Sequence, residues 1–114
     1  MTYFQTRGRK YNNTPQLYNG LRYDSKKEAT KAYELDLMLK AKQIKSWERQ
    51  KTIELRVNDY LICKYRIDFV IEHNDGTLEY LEIKGFATDL WRFKWKLFEA
   101  LYSDKKGIKL TVEY

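Results

Sequence analysis

The chain has 114 residues, and its 22 Lys and Arg against 16 Asp and Glu give a formal charge of +6 and a pI near 9.3. That length suits one domain with a single core, and the cationic excess favours an anionic partner without specifying a fold. Cys63 is the only cysteine and His73 the only histidine, which excludes an intramolecular disulfide and a His/Cys zinc cluster.

The charge is unevenly placed. Residues 1–27 carry Arg7, Arg9, Lys10, Arg22, Lys26 and Lys27 against Asp24 alone, whereas residues 28–84 hold 10 basic and 11 acidic side chains. Residues 1–16 show no periodicity and read as a basic arm, in which Arg7, Arg9 and Lys10 are candidates for following a phosphate backbone. The equally weighted alternative is a solvated terminus. Tyr18-Asn19-Gly20-Leu21-Arg22-Tyr23 reads as a short hairpin or turn. The first helix is expected from Ser25 to about Lys42, because Ser25-Lys26-Lys27-Glu28 fits a capping box ahead of good helix formers. Glu28 has two readings. It closes the box on the backbone amide of Ser25, or it heads a stripe with Ala32, Leu35 and Leu39 that faces the body of the protein; Glu34 falls on the more polar side.

After Gln43 the chain leaves the helix, and Ile53, Leu55 and Val57 alternate with Thr52, Glu54 and Arg56 as in a strand. Asn58-Asp59 is a turn, and Tyr60–Tyr65 lead into Arg66-Ile67-Asp68-Phe69-Val70. A second alternating segment, Leu81-Glu82-Ile83-Lys84-Gly85, follows through His73-Asn74-Asp75-Gly76-Thr77. Asn74-Asp75-Gly76 suits a three-residue loop closed by a left-handed glycine. This pairs His73 with Thr77 and, by counting, sets Asp68 opposite Glu82 and Arg66 opposite Lys84. Arg66, Asp68, Val70, Tyr80, Glu82 and Lys84 then share one face, and Ile67, Phe69, Ile71, Leu81 and Ile83 share a core face. Opposed carboxylates repel by on the order of 0.2–1 kcal/mol. A hard cation such as Mg2+ would relieve this, held by Asp68, Glu82 and the Ile83 carbonyl, with Lys84 beside it to orient water or stabilise phosphate charge. The competing reading, of equal weight on spacing alone, is the solvated polar face of a hairpin.

Beyond Gly85 a second helix is expected over Thr88–Ser103, with Trp91, Trp95, Phe98 and Tyr102 on one buried face and Arg92, Lys94 and Lys96 interleaved. Residues 108–114 alternate as a last strand. No apolar run approaches the ~20 residues that span a bilayer, and the first residues lack a signal-peptide pattern, so a cytoplasmic protein with no membrane partner is expected.

Asp68 followed, after a hairpin, by Glu82-Ile83-Lys84 resembles the signature of the PD-(D/E)XK nuclease superfamily. The order of acidic helix, motif strands, basic helix and final strand is similar to that superfamily's core over residues 17 to 114. The likeness is strongest to its small phage-encoded endonuclease and Holliday-junction resolvase-like members. Ile67 stands where the name-giving proline would be, a departure many members share. The resemblance implies an α/β, restriction-endonuclease-like core: a mixed, mostly antiparallel sheet of four or five strands flanked by two helices. It implies Mg2+-dependent cleavage of DNA, with Mn2+ as substitute, in phage recombination or processing within the host cytoplasm. It also implies Glu28 as an additional metal ligand and Lys94 as a basic residue near the metal, and it matches Gln50 to a position facing substrate. Arg22 and Lys96 complete the candidate DNA contacts. A resolvase acts on branched DNA with two-fold symmetry, which a homodimer through the aromatic second helix would suit. Two other readings stay open: a non-catalytic nucleic-acid-binding module on the same fold, and an interaction protein that docks through its aromatic helix.

Overall fold

A computed structural model describes residues 16–114. The basic arm, with Arg7, Arg9 and Lys10, lies outside the described residues. The elements run β1 (Gln16–Tyr18), β2 (Leu21–Tyr23), α1 (Lys26–Lys40), β3 (Ser46–Val57), β4 (Tyr60–Glu72), β5 (Leu78–Ile83), α2 (Asp89–Tyr102) and β6 (Ile108–Glu113). β1 and β2 form a separate hairpin, and the other four strands make one mixed sheet in the order β3-β4-β5-β6. β3, β4 and β5 are an antiparallel meander, and β6 returns through α2 to lie parallel to β5. The described residues thus make an α/β fold with two helices, its main sheet having four strands.

Turn chemistry sets the meander. Asn58 and Asp59 both take positive φ (50° and 70°), as a two-residue turn that follows strand twist requires. At the next hairpin the His73 N–H donates to the Thr77 carbonyl at 2.8 Å, the Gly76 N–H donates to the His73 carbonyl at 2.9 Å, and Gly76 has φ 91°. That is the expected loop, and it fixes the register Glu72–Leu78 through Phe69–Leu81.

Both sheet faces are covered. Phe69, Ile71, Leu81 and Ile83 pack with Tyr23, Ala32, Leu35 and Ile44 on the α1 side. Val70 and Tyr80, one residue out of phase, pack with Trp95 and Phe98 on the α2 side. Two expectations about faces are corrected. Val70 and Tyr80 are core, because α2 roofs what a lone hairpin would leave wet. Ile67 lies in the α2-side core and Phe69, two residues on, in the α1-side core, so simple alternation fails at Asp68. The cause is local: Gln50, which stands across from Asp68 between the pairs Arg49–Phe69 and Lys51–Ile67, has φ 52°. Such an irregularity re-aims side chains where it falls.

Both helices start on side-chain caps. Ser25 Oγ accepts from the Glu28 N–H at 3.1 Å and Thr88 Oγ1 accepts from the Trp91 N–H at 3.0 Å. The expected reciprocal half of the first box differs: the Glu28 carboxylate receives the Ser25 hydroxyl, at 3.4 Å. Ser25→Ala and Thr88→Ala are each expected to cost about 1 kcal/mol, read as a lower denaturation midpoint in urea. α1 closes early, at Lys40, because Lys42 takes φ 59° and the Gln43 N–H donates to the Met38 carbonyl, a Schellman closure. Ala32 and Leu35 are buried with Glu28, but Leu39, expected on their stripe, is 39% exposed in the last turn. Asp36 accepts from the Tyr18 hydroxyl (2.6 Å) and Trp47 Nε1 (3.1 Å). It thereby ties the small hairpin and β3 to α1.

Candidate functional site

Asp68, Glu82, Ile83, Lys84 and Glu28 converge on one cleft of about 800 Å³, between the start of α1, the β4–β5 edge and the first turn of α2. The register brings Asp68 level with Glu82, but the backbone ladder stops one pair short, at Phe69–Leu81. In its place Asp68 Oδ2 accepts the Ile83 N–H at 2.8 Å. The carboxylate completes the rung, which fixes its orientation. Arg66 does not sit against Lys84 as the count suggested. It pairs on its own strand side with Thr52, and its guanidinium reaches Asp24 at 3.3 Å across the cleft mouth.

The site is electrostatically tense. Glu82 is 4% and Glu28 9% exposed. Burial, then the charges of Glu82 and Glu28, push the Asp68 carboxyl well above the usual carboxylate range, against the pull of the Ile83 amide and Lys84. Burial also raises Glu82, partly offset by Lys84, whose Nζ lies 3.1 Å from Oε2. Glu28 is pushed up to about 7, first by burial and then by Asp24. Glu82 Oε1 is buried without a hydrogen-bond partner. Three carboxyls on desolvated positions with one ammonium among them leave the site short of positive charge.

Oxygen donors of this kind suit a hard cation. The three carboxylates share the cleft without closing into a cage: among the described residues no three His, Cys, Asp or Glu side chains are gathered to hold an ion. Asp68 Oδ2 is committed to Ile83 and Glu82 Oε2 to Lys84. The cleft wall is cationic, with Lys26, Lys27, Lys64, Arg66 and Lys94 lining it.

Of the remaining sequence candidates, Lys94 lines the cleft, whereas Lys96 and Arg22 are exposed outside it, and the Arg22 carbonyl receives Arg49 at 2.7 Å. Gln50 is half-buried and does not line it. The aromatic stripe of α2 faces its own sheet, as expected, with Trp95 and Phe98 buried. It is therefore not an outer surface, and the large apolar side chains that α2 shows to solvent are Leu90 and Phe93, each 63% exposed. The sequence reading missed Tyr65 and Trp91 as cleft residues. Tyr65 was hidden by the break in alternation at Asp68. Trp91 was assigned wholly to the core, although its place three residues after the Thr88 cap puts it beside Lys84.

The fold and cleft define a small α/β domain with a buried acidic centre in a basic rim. Over residues 8–112 the chain matches the family described as "Protein of unknown function (DUF1064)", and it belongs to that family. Neither curated proteins nor solved structures give a match. No helix among the described residues is long and apolar enough to cross a membrane.

Proposed function

We propose that the protein is a Mg2+-dependent DNA endonuclease with a restriction-endonuclease-like core, selective for branched DNA in the manner of Holliday-junction resolvases and serving phage DNA recombination or processing. The observation that supports this is the single cleft in which Asp68, Glu82, Glu28 and Lys84 meet inside a cationic wall. The donor set fits the ion: a buried, unpartnered Glu82 Oε1 and carboxyls pushed toward protonation mark a deficit of positive charge. Asp68, Glu82 and the Ile83 carbonyl would hold Mg2+, with Mn2+ as substitute and Glu28 as a further ligand. Bound there, the ion supplies polarisation of the phosphate and acidification of the attacking water.

The chain's own residues do the rest. Arg66, Lys64 and Lys94 bind phosphates flanking the scissile one, and Arg66 exchanges Asp24 for that phosphate. Lys84 orients the water or offsets charge on the phosphate. Water oxygen forms the new bond to phosphorus and gives up its proton to solvent, the bond to the leaving sugar oxygen breaks, and that oxygen is protonated from solvent. No side chain becomes a covalent nucleophile.

The test is cleavage of labelled four-way junction, duplex and single-stranded DNA with Mg2+ or EDTA. Paired nicks at the junction, abolished by EDTA, are expected. Cutting of all three substrates would remove the branched-DNA selectivity and leave the nuclease. The second reading is a binding module on the same fold. It is favoured by the Glu82–Lys84 contact, which offsets the Glu82 charge internally, and it predicts salt-sensitive DNA binding with no cutting.

A stability measurement is independent of DNA. Where a carboxyl has a raised pKa in the folded state, the unfolded chain ionises first as pH rises. Stability then falls between the unfolded value near 4.5 and the folded value, about 7 for Glu28. Without metal, the melting temperature is expected to fall by several degrees from pH 5 to pH 8, and Mg2+ is expected to restore it at pH 8 but not at pH 5. A profile that is flat and indifferent to Mg2+ at both pH values would refute the charge deficit.

A further inference from the structure

We propose that Trp91 is a positioning residue with two separable tasks: its ring face holds Lys84 in the cleft, and its indole N–H fixes the Tyr65 hydroxyl beside Glu82. The inference rests on the nuclease reading and names residues that reading does not use. Lys84 Nζ lies 4.8 Å from the centroid of the Trp91 ring while contacting Glu82 Oε2 at 3.1 Å. Trp91 Nε1 donates to the Tyr65 hydroxyl at 2.9 Å. Tyr65 and Trp91 both line the cleft. The Tyr65 hydroxyl, held as an acceptor by the indole, keeps its own hydrogen for the carboxylate side, where Glu82 Oε1 has no partner. The Tyr65 hydroxyl and the Trp91 indole both approach the Glu82 carboxyl.

The indole is rigid. Its backbone N–H is bound by the Thr88 cap, and its ring stacks on Trp95 with centroids 5.8 Å apart and planes 20° apart. A purely packing role needs neither the N–H nor the exposed face. The face would matter with a cation held at Glu82, because Lys84 would then lose its hold on that carboxylate, and an ammonium on an aromatic face keeps a second attachment. Lys84 then stays in the cleft instead of swinging to solvent.

The two tasks separate by substitution. Trp91→Phe keeps a ring and loses the donor, Tyr65→Phe loses the hydroxyl, and Trp91→Leu loses both functions. Mg2+ affinity by calorimetry without DNA, and kcat and KM on whichever DNA the native protein cuts, are the readouts. Trp91→Phe and Tyr65→Phe are each expected to weaken Mg2+ binding about three- to tenfold. Their double variant should be no worse than Tyr65→Phe alone, because the indole N–H acts on Glu82 through the Tyr65 hydroxyl that Tyr65→Phe already removes. Trp91→Leu should in addition lower kcat at least about tenfold with KM within about twofold. Should Trp91→Leu fail to fold, the Phe cycle still decides. Additive losses in the cycle, or Mg2+ affinity unchanged in both Phe variants, overturns the proposal while native cleavage leaves the nuclease reading standing. A native chain that binds Mg2+ with the expected coupling but cuts no DNA sinks the nuclease reading and keeps the positioning role. A native chain that neither binds Mg2+ nor cuts removes both.

Discussion

Asp68→Asn is expected to lower Mg2+-dependent cleavage by a factor on the order of 10²–10³, the scale of losing one preorganised electrostatic contact at a reacting centre, and to make the metal-free protein more stable at pH 8. The two effects have one origin. Asp68 is held with its carboxyl raised by burial and by Glu82 and Glu28, so its ionised form is a burden on the fold whenever no cation is present. Asn keeps an oxygen that accepts the Ile83 N–H now bound at 2.8 Å, so the rung survives while the charge goes. The sign is pH-dependent. Near pH 3 both states of the native protein are protonated and the substitution gains nothing; above the folded value the gain is complete. Each ~1 kcal/mol relieved should raise the melting temperature by roughly 4–8 °C in a domain of this size. Calorimetric melts at pH 4 and pH 8, paired with the cleavage assay, check both halves. A variant that loses activity and is also less stable at pH 8 would mean that Asp68 is structural, and the charge-deficit account of the site would go with it.

Phe98→Ala is expected to be the most damaging core change. Phe98 is fully buried and touches four rings, those of Tyr65, Tyr80, Trp95 and Tyr102, with centroids between 4.9 and 5.6 Å. Truncating a buried phenylalanine costs about 3–5 kcal/mol from lost burial and the cavity left behind. Domains are stable by only about 5–15 kcal/mol in total, so a fall in melting temperature of more than about 10 °C is expected, or no folded protein at all. Because Tyr65 is one of the four rings, the cavity should also loosen the Glu82 side of the cleft. Phe93→Ala on the same helix, at a 63% exposed position, should move the melting temperature by little. Equal effects at the two positions would contradict the placement of α2.

The elements legible in the sequence were those set by local chemistry. The Asn74-Asp75-Gly76 loop dictated the β4–β5 register, Ser25 and Thr88 marked the helix starts within a residue, and the 91-95-98-102 spacing gave the buried face of α2. These depend on nearest neighbours along the chain, which a sequence displays directly. What escaped depended on partners that spacing does not show. The burial of Val70 and Tyr80 needs α2 overhead, and the shift at Ile67 needs Gln50 across the sheet. Of the cleft, Asp68, Glu82, Lys84 and Glu28 were readable because the hairpin register and the helix cap place them. The inward turn of Tyr65 was not, since alternation fails three residues later. Spacing also does not show that the backbone amide of Ile83 and the ammonium of Lys84 occupy one oxygen each of Asp68 and Glu82, the two carboxylates expected to hold the metal.

The order of strand closures bears on how this cleft assembles. The β3–β4 turn is made by Asn58 and Asp59 and the β4–β5 loop by three residues, whereas β5 meets β6 with residue 78 against residue 108. Short closures lose the least chain entropy and form early, and the thirty-residue parallel closure must wait for α2. Asp68 and Glu82 both belong to the early meander, while Trp91 arrives with the late crossover. The chain therefore brings its repelling carboxylates together before the indole docks against Lys84, and a folding rate that rises as the solution is made mildly acidic is the kinetic trace this order should leave.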